Sequence, residues 1–307
     1  MSLLRPVLNT YLRLTERRHM ARSTPQGLRV SFERKARLLF HAPRGTQQQW
    51  IRLQAGQRLV HALDIVPRVH SSDIVILYIH GGGFVFGSPR THAAMVAQLA
   101  RRLGARAVLP KYRLAPEAPY PAAAEDVRAA WKGLRATGVP AYNIFIGGDS
   151  AGGALALGLM SELAREGDAM PAGVFCFSPL ADLTYSGKSF AANAQREAIL
   201  PPERAGEMTR HYLAGHAADD PKVSPLFADF IGAAPLWLTV GDSEILCDDA
   251  RGIAQRVRDQ GGDVTFVEER DLPHVWPLFH NILPEARHTL NTLAAWITQR
   301  RASQGEN

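Results

Sequence analysis

Cysteine is scarce in this chain: Cys176 and Cys247 are the only two among 307 residues, in separate segments and with no CxxC spacing. That excludes a disulfide framework and a thiolate metal knuckle, and two reduced thiols in a cytoplasmic protein are the simple expectation. There is no HExxH pattern and no Cys/His ligand spacing, so neither a metal nor a cofactor is expected. Long apolar runs are missing as well. The opening MSLLRPVLNTYLRLTERRHMAR is broken by Arg5, Arg13 and Glu16 before a signal-peptide core can develop, and no later stretch is long and uncharged enough to span a bilayer. Stable membrane insertion is therefore not expected. The net charge is +6, but the basic residues are scattered, with only short clusters such as Arg17-Arg18, Arg101-Arg102 and Arg300-Arg301 and no interleaved aromatics, which argues against a nucleic-acid partner. Repeats and low-complexity tracts are absent.

What is present reads as an ordinary globular composition, 46% apolar and 21% charged. The first 45 residues are rich in Arg and Leu. Leu3, Leu4, Val7, Leu8, Tyr11 and Leu12 recur at helical spacing, forming an apolar face that needs covering, and the segment ends at the breaker APRG. The expected cover is the catalytic domain, on which this segment packs as a lid; if the face were instead an anchor on a membrane surface, Arg5, Arg13, Arg17 and Arg18 would complement anionic lipid. Beyond it, eight short β-rich runs follow: WIRL, LVHALDIV, IVILYI, RAVLP, NIFIG, GVFCF, LWLTV and VTFVEE. Several are apolar throughout, as parallel strands covered on both faces are. Helical stretches lie between them, such as 90–103, where Met95, Val96, Leu99 and Leu103 share a face, and 151–166. The alternation predicts an α/β open sheet. Only Ser186 to about Gly232 lacks a strand candidate.

Chemistry concentrates in three places. In IFIGGDSAGG, Ile144 to Gly153, the run Gly148-Asp149-Ser150-Ala151-Gly152 fits G-x-S-x-G between a strand and a helix. This is the elbow that presents a nucleophilic serine on a turn too tight for flanking β-carbons, with a helix N-terminus favouring negative charge beside it. In YIHGGGFVFGS, Tyr78 to Ser88, bare glycine N–H groups after a strand suit a tetrahedral oxyanion. Gly82, Gly83 and Ala151 are the expected donors. A phosphate-cradling loop does not fit, because the glycines at 81, 82, 83 and 87 give no G-x-G-x-x-G and no G-K-[ST]. The base is expected to be His274, in DLPHVWP after the last strand, while His80 suits a structural anchor for its loop. The orienting acid then lies between residues 150 and 274. LWLTVGDSEILCDD offers Asp242 and Glu244 in a loop, with Asp248 and Asp249 on the helix that follows.

These motifs, in this order, resemble the hormone-sensitive-lipase-like family of α/β-hydrolases, the bacterial esterases with a GDSAGG box. YRLAPEAPYPAAAEDV, Tyr112 to Val127, is similar to that family's YRLAPE box, although Lys111 stands where the family usually has Asp. The family's D-P-L-x-D acid motif aligns with Glu244-Ile245-Leu246-Cys247-Asp248, which puts Glu244 in the acid's place and leaves Asp242 as the alternative. The resemblance implies an α/β-hydrolase fold: a mostly parallel central sheet flanked by helices, with a helical cap. The implied division is a cap segment 1–45, a core 46–185, a cap insertion 186–220 and the continued core 221–307. It also implies a serine carboxylic-ester hydrolase with Ser150, Glu244 and His274 as its triad, acting on small-molecule esters of short to medium acyl length, with a homodimer possible. Lactone or amide hydrolysis by the same triad, or a non-catalytic small-molecule receptor on the same fold, are the alternatives.

Overall fold

The computed structural model describes residues 2–304. Eight strands form one sheet in the order β1-β2-β4-β3-β5-β6-β7-β8. They are β1 (Gln47–Ala55), β2 (Arg58–Val66), β3 (Val75–Ile79), β4 (Arg106–Pro110), β5 (Ile144–Asp149), β6 (Gly173–Phe177), β7 (Leu236–Gly241) and β8 (Val264–Glu269). Strand β2 runs antiparallel to both of its neighbours, and every pairing from β4 to β8 is parallel. Each of the eight β-rich runs in the sequence corresponds to one strand.

The continuous apolar runs have a simple cause. Successive side chains point to opposite faces of a strand, and here both faces are covered. Val75, Leu77 and Ile79 of β3 enter one core layer, and Ile76 and Tyr78 enter the other. Ile144 and Ile146 of β5 are likewise separated from Phe145.

The helices, in chain order, are α1 (Leu4–Leu12), α2 (Arg18–Arg22), α3 (Pro25–Leu39), α4 (Pro89–Leu103), α5 (Ala122–Ala136), α6 (Ser150–Glu166), α7 (Lys188–Ala192), α8 (Pro202–Leu213), α9 (Cys247–Asp259) and α10 (Pro284–Gln304). α4 and α10 cover one face of the sheet; α5, α6 and α9 cover the other. A π-helical turn, Arg13–Arg17, joins α1 to α2 as one rod. Between β6 and β7 the chain forms only α7, α8 and a short 3-10 turn.

The N-terminal apolar positions do not behave as one buried face. Leu8 and Leu12 pack with Trp276, Leu283 and Ala286, whereas Leu3, Leu4, Val7 and Tyr11 are exposed. The rod turns its i, i+4 pair Leu8/Leu12 inward together with Asn9, whose amide donates to the Asp271 carbonyl at 2.9 Å. Residues 3 and 7 lie further round the helix and point away, and Tyr11 beside them is exposed at the rim of the cavity described below.

Candidate active site

Every candidate residue sits just past the carboxyl end of a parallel strand: the glycine loop after β3, Ser150 after β5, Glu244 after β7 and His274 after β8. In an open parallel sheet this edge is where a site forms.

Ser150 has φ 51°, in the left-handed region that L-residues avoid. The turn closes so tightly that a β-carbon on Gly148 would meet the Gly152 carbonyl oxygen at 2.4 Å, and one on Gly152 would meet the Ile79 carbonyl oxygen at 2.1 Å. Both obstructions are backbone, so glycine is required there. Asp149 fastens the elbow from beneath. Its buried carboxylate accepts from the Tyr78 hydroxyl at 2.8 Å and the Gly81 N–H at 3.0 Å, and lies 3.2 Å from His92 Nε2. Burial pushes this carboxyl up, but His92 and the Tyr78 hydrogen bond outweigh it and hold it below the ordinary carboxylate value. One side chain therefore joins β3, α4 and β5 under the serine.

In the glycine loop, Gly82 has φ 119°, and its carbonyl accepts from the Val85 and Phe86 N–H groups. The N–H groups of Gly82 and Gly83 have no partner among the described residues. Ala151 lies in the first turn of α6, where N–H groups have no acceptor inside the helix. His80 is buried, stacked on Tyr112 at 4.2 Å with its Nδ1 2.9 Å from the Gly81 carbonyl, and burial pushes it down to about 3. A neutral imidazole walled in by rings anchors the loop. Tyr112, from the YRLAPE box, donates to the His80 carbonyl at 2.8 Å. That box braces the glycine loop from behind.

Glu244 and His274 are brought together: His274 Nδ1 lies 2.6 Å from Glu244 Oε2, and both side chains are buried. Glu244 Oε1 accepts from the Gly241 N–H at 2.6 Å and the Ser178 hydroxyl at 2.8 Å. Asp242 points elsewhere, with Oδ1 accepting from the Asp271 N–H at 2.7 Å and Arg196 nearby at 3.4 Å. Asp248 and Asp249 lie in the first turn of α9. Burial pushes the His274 imidazole down, but the Glu244 hydrogen bond and charge more than reverse this, so it titrates above the ordinary histidine value. His274 Nε2 is buried with no hydrogen-bond partner among the described residues, and His274 and Ser150 line the same cavity.

Several supporting residues escaped the sequence reading. Ser178, at φ 47°, also accepts from the Val275 N–H at 3.2 Å, linking both sides of the Glu244–His274 pair. Asn193 donates to the carbonyls of Asp242 and Glu244 at 2.9 and 2.8 Å. Buried Glu197 accepts from the Ile245 N–H at 3.1 Å and from Ile199 and Leu200. The strandless segment thus grips the loop carrying Glu244. Asn193 and Glu197 belong to no local pattern, and only Asp149, inside the GDSAGG box, had a signal that could have found it.

The cavity, about 220 Å³, is walled by α1, α3 and α8 as well as by the loops of the sheet edge. Phe84 of the glycine loop stacks on Tyr212 of α8 at 3.7 Å, and a β-carbon on Gly83 would meet the Met208 sulfur at 2.9 Å. Arg13 and Arg17 donate to the carbonyls of Arg196 and Glu197, and Arg204 donates to those of Ala21 and Ser23.

A mostly parallel sheet, a strained serine at its central strand and a carboxylate-bound histidine at its edge define an α/β hydrolase. A family model described as the alpha/beta hydrolase fold matches residues 76–278. The acetyl-hydrolase of Streptomyces hygroscopicus is 38% identical over 75% of this chain and 76% of its own length. The esterase of Acinetobacter venetianus is 34% identical over 74% and 76%. The crystal structure of an esterase from the bacterial hormone-sensitive lipase family superposes with a TM-score of 0.91 at 34% identity, covering 98% of this chain and 99% of that one. The chain belongs to the α/β-hydrolase fold family, within its bacterial hormone-sensitive-lipase group.

Proposed function

We propose that this hydrolase cleaves carboxylic esters of short to medium acyl length through an acyl-enzyme on Ser150. The observation that carries the reading is the state of His274: Nδ1 is tied to Glu244, while Nε2 is unpartnered in the cavity that Ser150 also lines. With Nδ1–H held by the carboxylate, Nε2 bears the free lone pair and can take the serine proton as Oγ attacks the acyl carbonyl. The N–H groups of Gly82, Gly83 and Ala151 stabilise the oxyanion, and His274 then returns the proton to the leaving alcohol. Water, activated by the same imidazole, releases the acid.

Residues 1–45 and 186–220 act as the cap. In support, both segments contribute to the cavity wall, and Arg13, Arg17 and Arg204 cross-link them. A roofed, finite cavity suits short to medium acyl chains. The test is a series of p-nitrophenyl esters of increasing acyl length, run beside Ser150→Ala. Rates should be highest for the short and medium members, and Ser150→Ala should lose several orders of magnitude in kcat. A variant that keeps a tenth of the activity, or rates that climb steadily to the longest chains, would overturn the reading.

A further inference from the structure

The outward side of the N-terminal rod is left exposed among the described residues. Leu3 (89% exposed), Val7 (67%), Tyr11 (54%) and Leu14 (54%) follow one another at helical spacing, with Leu4 (49%) beside them. The same spacing then reaches Arg18 and Arg22, both exposed and without a salt-bridge or hydrogen-bond partner among the described residues. One face of a single rod is therefore apolar in its first half and basic in its second. α3, held alongside by Glu16–Lys35 at 2.6 Å and His19–Ser31 at 2.8 Å, repeats the composition outward with Val30, Arg34, Arg37 and Leu38.

Charge identifies the occupant. Residues 1–45 hold ten Lys and Arg but only Glu16 and Glu33 as acids, while the whole chain carries just +6. The net positive charge of the chain therefore resides in this segment, because acids slightly outnumber bases over the rest of the sequence. Both acids are already engaged, Glu16 with Lys35 and Glu33 with the Ser88 hydroxyl. A second copy of the chain meeting this face by two-fold symmetry would set arginine against arginine. A nucleic acid would leave the leucines and valines unburied. An anionic lipid surface satisfies both halves, because aliphatic side chains enter the headgroup boundary while guanidinium groups meet phosphates.

We propose that the outer face of residues 3–38 docks this hydrolase peripherally on anionic lipid. The cavity opens on the same side: Tyr11, Leu39 and Ile282 line it and are also exposed. Docking therefore turns its mouth toward the membrane surface. No bilayer span is involved, since no helix among the described residues is long and apolar enough to cross one.

The experiment is co-sedimentation of the full chain with vesicles of phosphatidylcholine alone or mixed with phosphatidylglycerol. Binding is expected to the mixed vesicles and not to the neutral ones. It should fade as salt is raised from about 0.15 M to about 1 M, where the screening length shrinks from about 8 Å to about 3 Å. Arg18→Glu with Arg22→Glu should weaken partition by more than about fivefold per arginine, and Val7→Glu with Leu14→Glu should abolish it. None of these four residues lines the cavity, so turnover of a soluble short ester should be unchanged in both variants, which also shows that they fold. Equal partition onto both vesicle types would overturn the proposal. So would active double variants that bind as the parent does, or a chain that ignores vesicles but forms a dimer lost on Val7→Glu.

Discussion

Replacing Glu244 by Gln separates the role of its charge from that of its shape. Oε2 meets His274 Nδ1 at 2.6 Å, while Oε1 accepts from both the Gly241 N–H and the Ser178 hydroxyl, at a site 1% exposed. Glutamine has one oxygen for these two tasks. If it faces His274, its NH2 opposes the Gly241 N–H, and a buried donor left unpaired costs roughly 1–3 kcal/mol. The better arrangement keeps the oxygen on Gly241 and turns the NH2 toward Nδ1. The imidazole must then carry its proton on Nε2, the atom that has to accept one from Ser150. Wrong-tautomer substitutions of this kind lower turnover by about 10⁴-fold, or about 5.5 kcal/mol of transition-state stabilisation. The assay is kcat/KM for a short p-nitrophenyl ester as a function of pH. In the parent, activity needs the neutral imidazole and falls as pH drops through the raised His274 value, so the acid limb lies above 6.5. Without the carboxylate's charge, the residual limb should move to lower pH. Asp242→Asn, which changes only a bond to Asp271 and a long contact to Arg196, should cost a few-fold at most. A Glu244→Gln enzyme retaining more than a tenth of the activity, or an Asp242→Asn enzyme damaged more severely, would refute the reasoning.

Two stability predictions concern the buried carboxyl of Asp249 and two glycines of α6. Asp249 receives the Ala181 and Asp182 N–H groups at 2.7 and 2.9 Å, yet burial pushes its carboxyl up from 3.8 to about 7. Between those values the unfolded chain has lost a proton that the folded chain keeps, so its contribution to stability falls as pH rises through that window. Asp249→Asn does not titrate and should gain stability relative to the parent between pH ~4 and pH ~8, by at most about 4 kcal/mol, read as a Tm difference that widens with pH; a Tm difference independent of pH contradicts this. Within α6, Gly158→Ala meets nothing within 4 Å and should stabilise by about 0.5–1 kcal/mol. Gly152→Ala, driven into the carbonyls of Ile79 and His80, should fail to fold or lose several kcal/mol in chemical denaturation. Equal effects at the two positions would show that the elbow is looser than its geometry.

The alternation of apolar runs with helical stretches was enough to define the sheet and its covered faces, because burial on both sides of a parallel strand leaves an unbroken signature in local sequence. The serine elbow, the glycine loop and the late histidine were legible for a related reason: a tight turn between a strand and a helix constrains residues only two positions apart, so the glycines are written beside the serine. The acid was not settled by sequence in the same way. Asp242 and Glu244 lie two residues apart in one loop, and either could reach an imidazole. Only the folded turn, with Gly241 and Ser178 donating to one carboxylate and Asp271 to the other, directs Glu244 to His274. Asn193 and Glu197 were invisible because the bonds that tie them to the Glu244 loop reach backbone groups about fifty residues away, and such contacts leave no periodicity. The N-terminal helix shows the same division of information. Its apolar spacing was plain, but tertiary packing selected Leu8 and Leu12 for the interior and left Leu3, Val7, Tyr11 and Leu14 facing out. Helical periodicity fixes which residues share a face, whereas the shape of the surface beneath decides which face is buried.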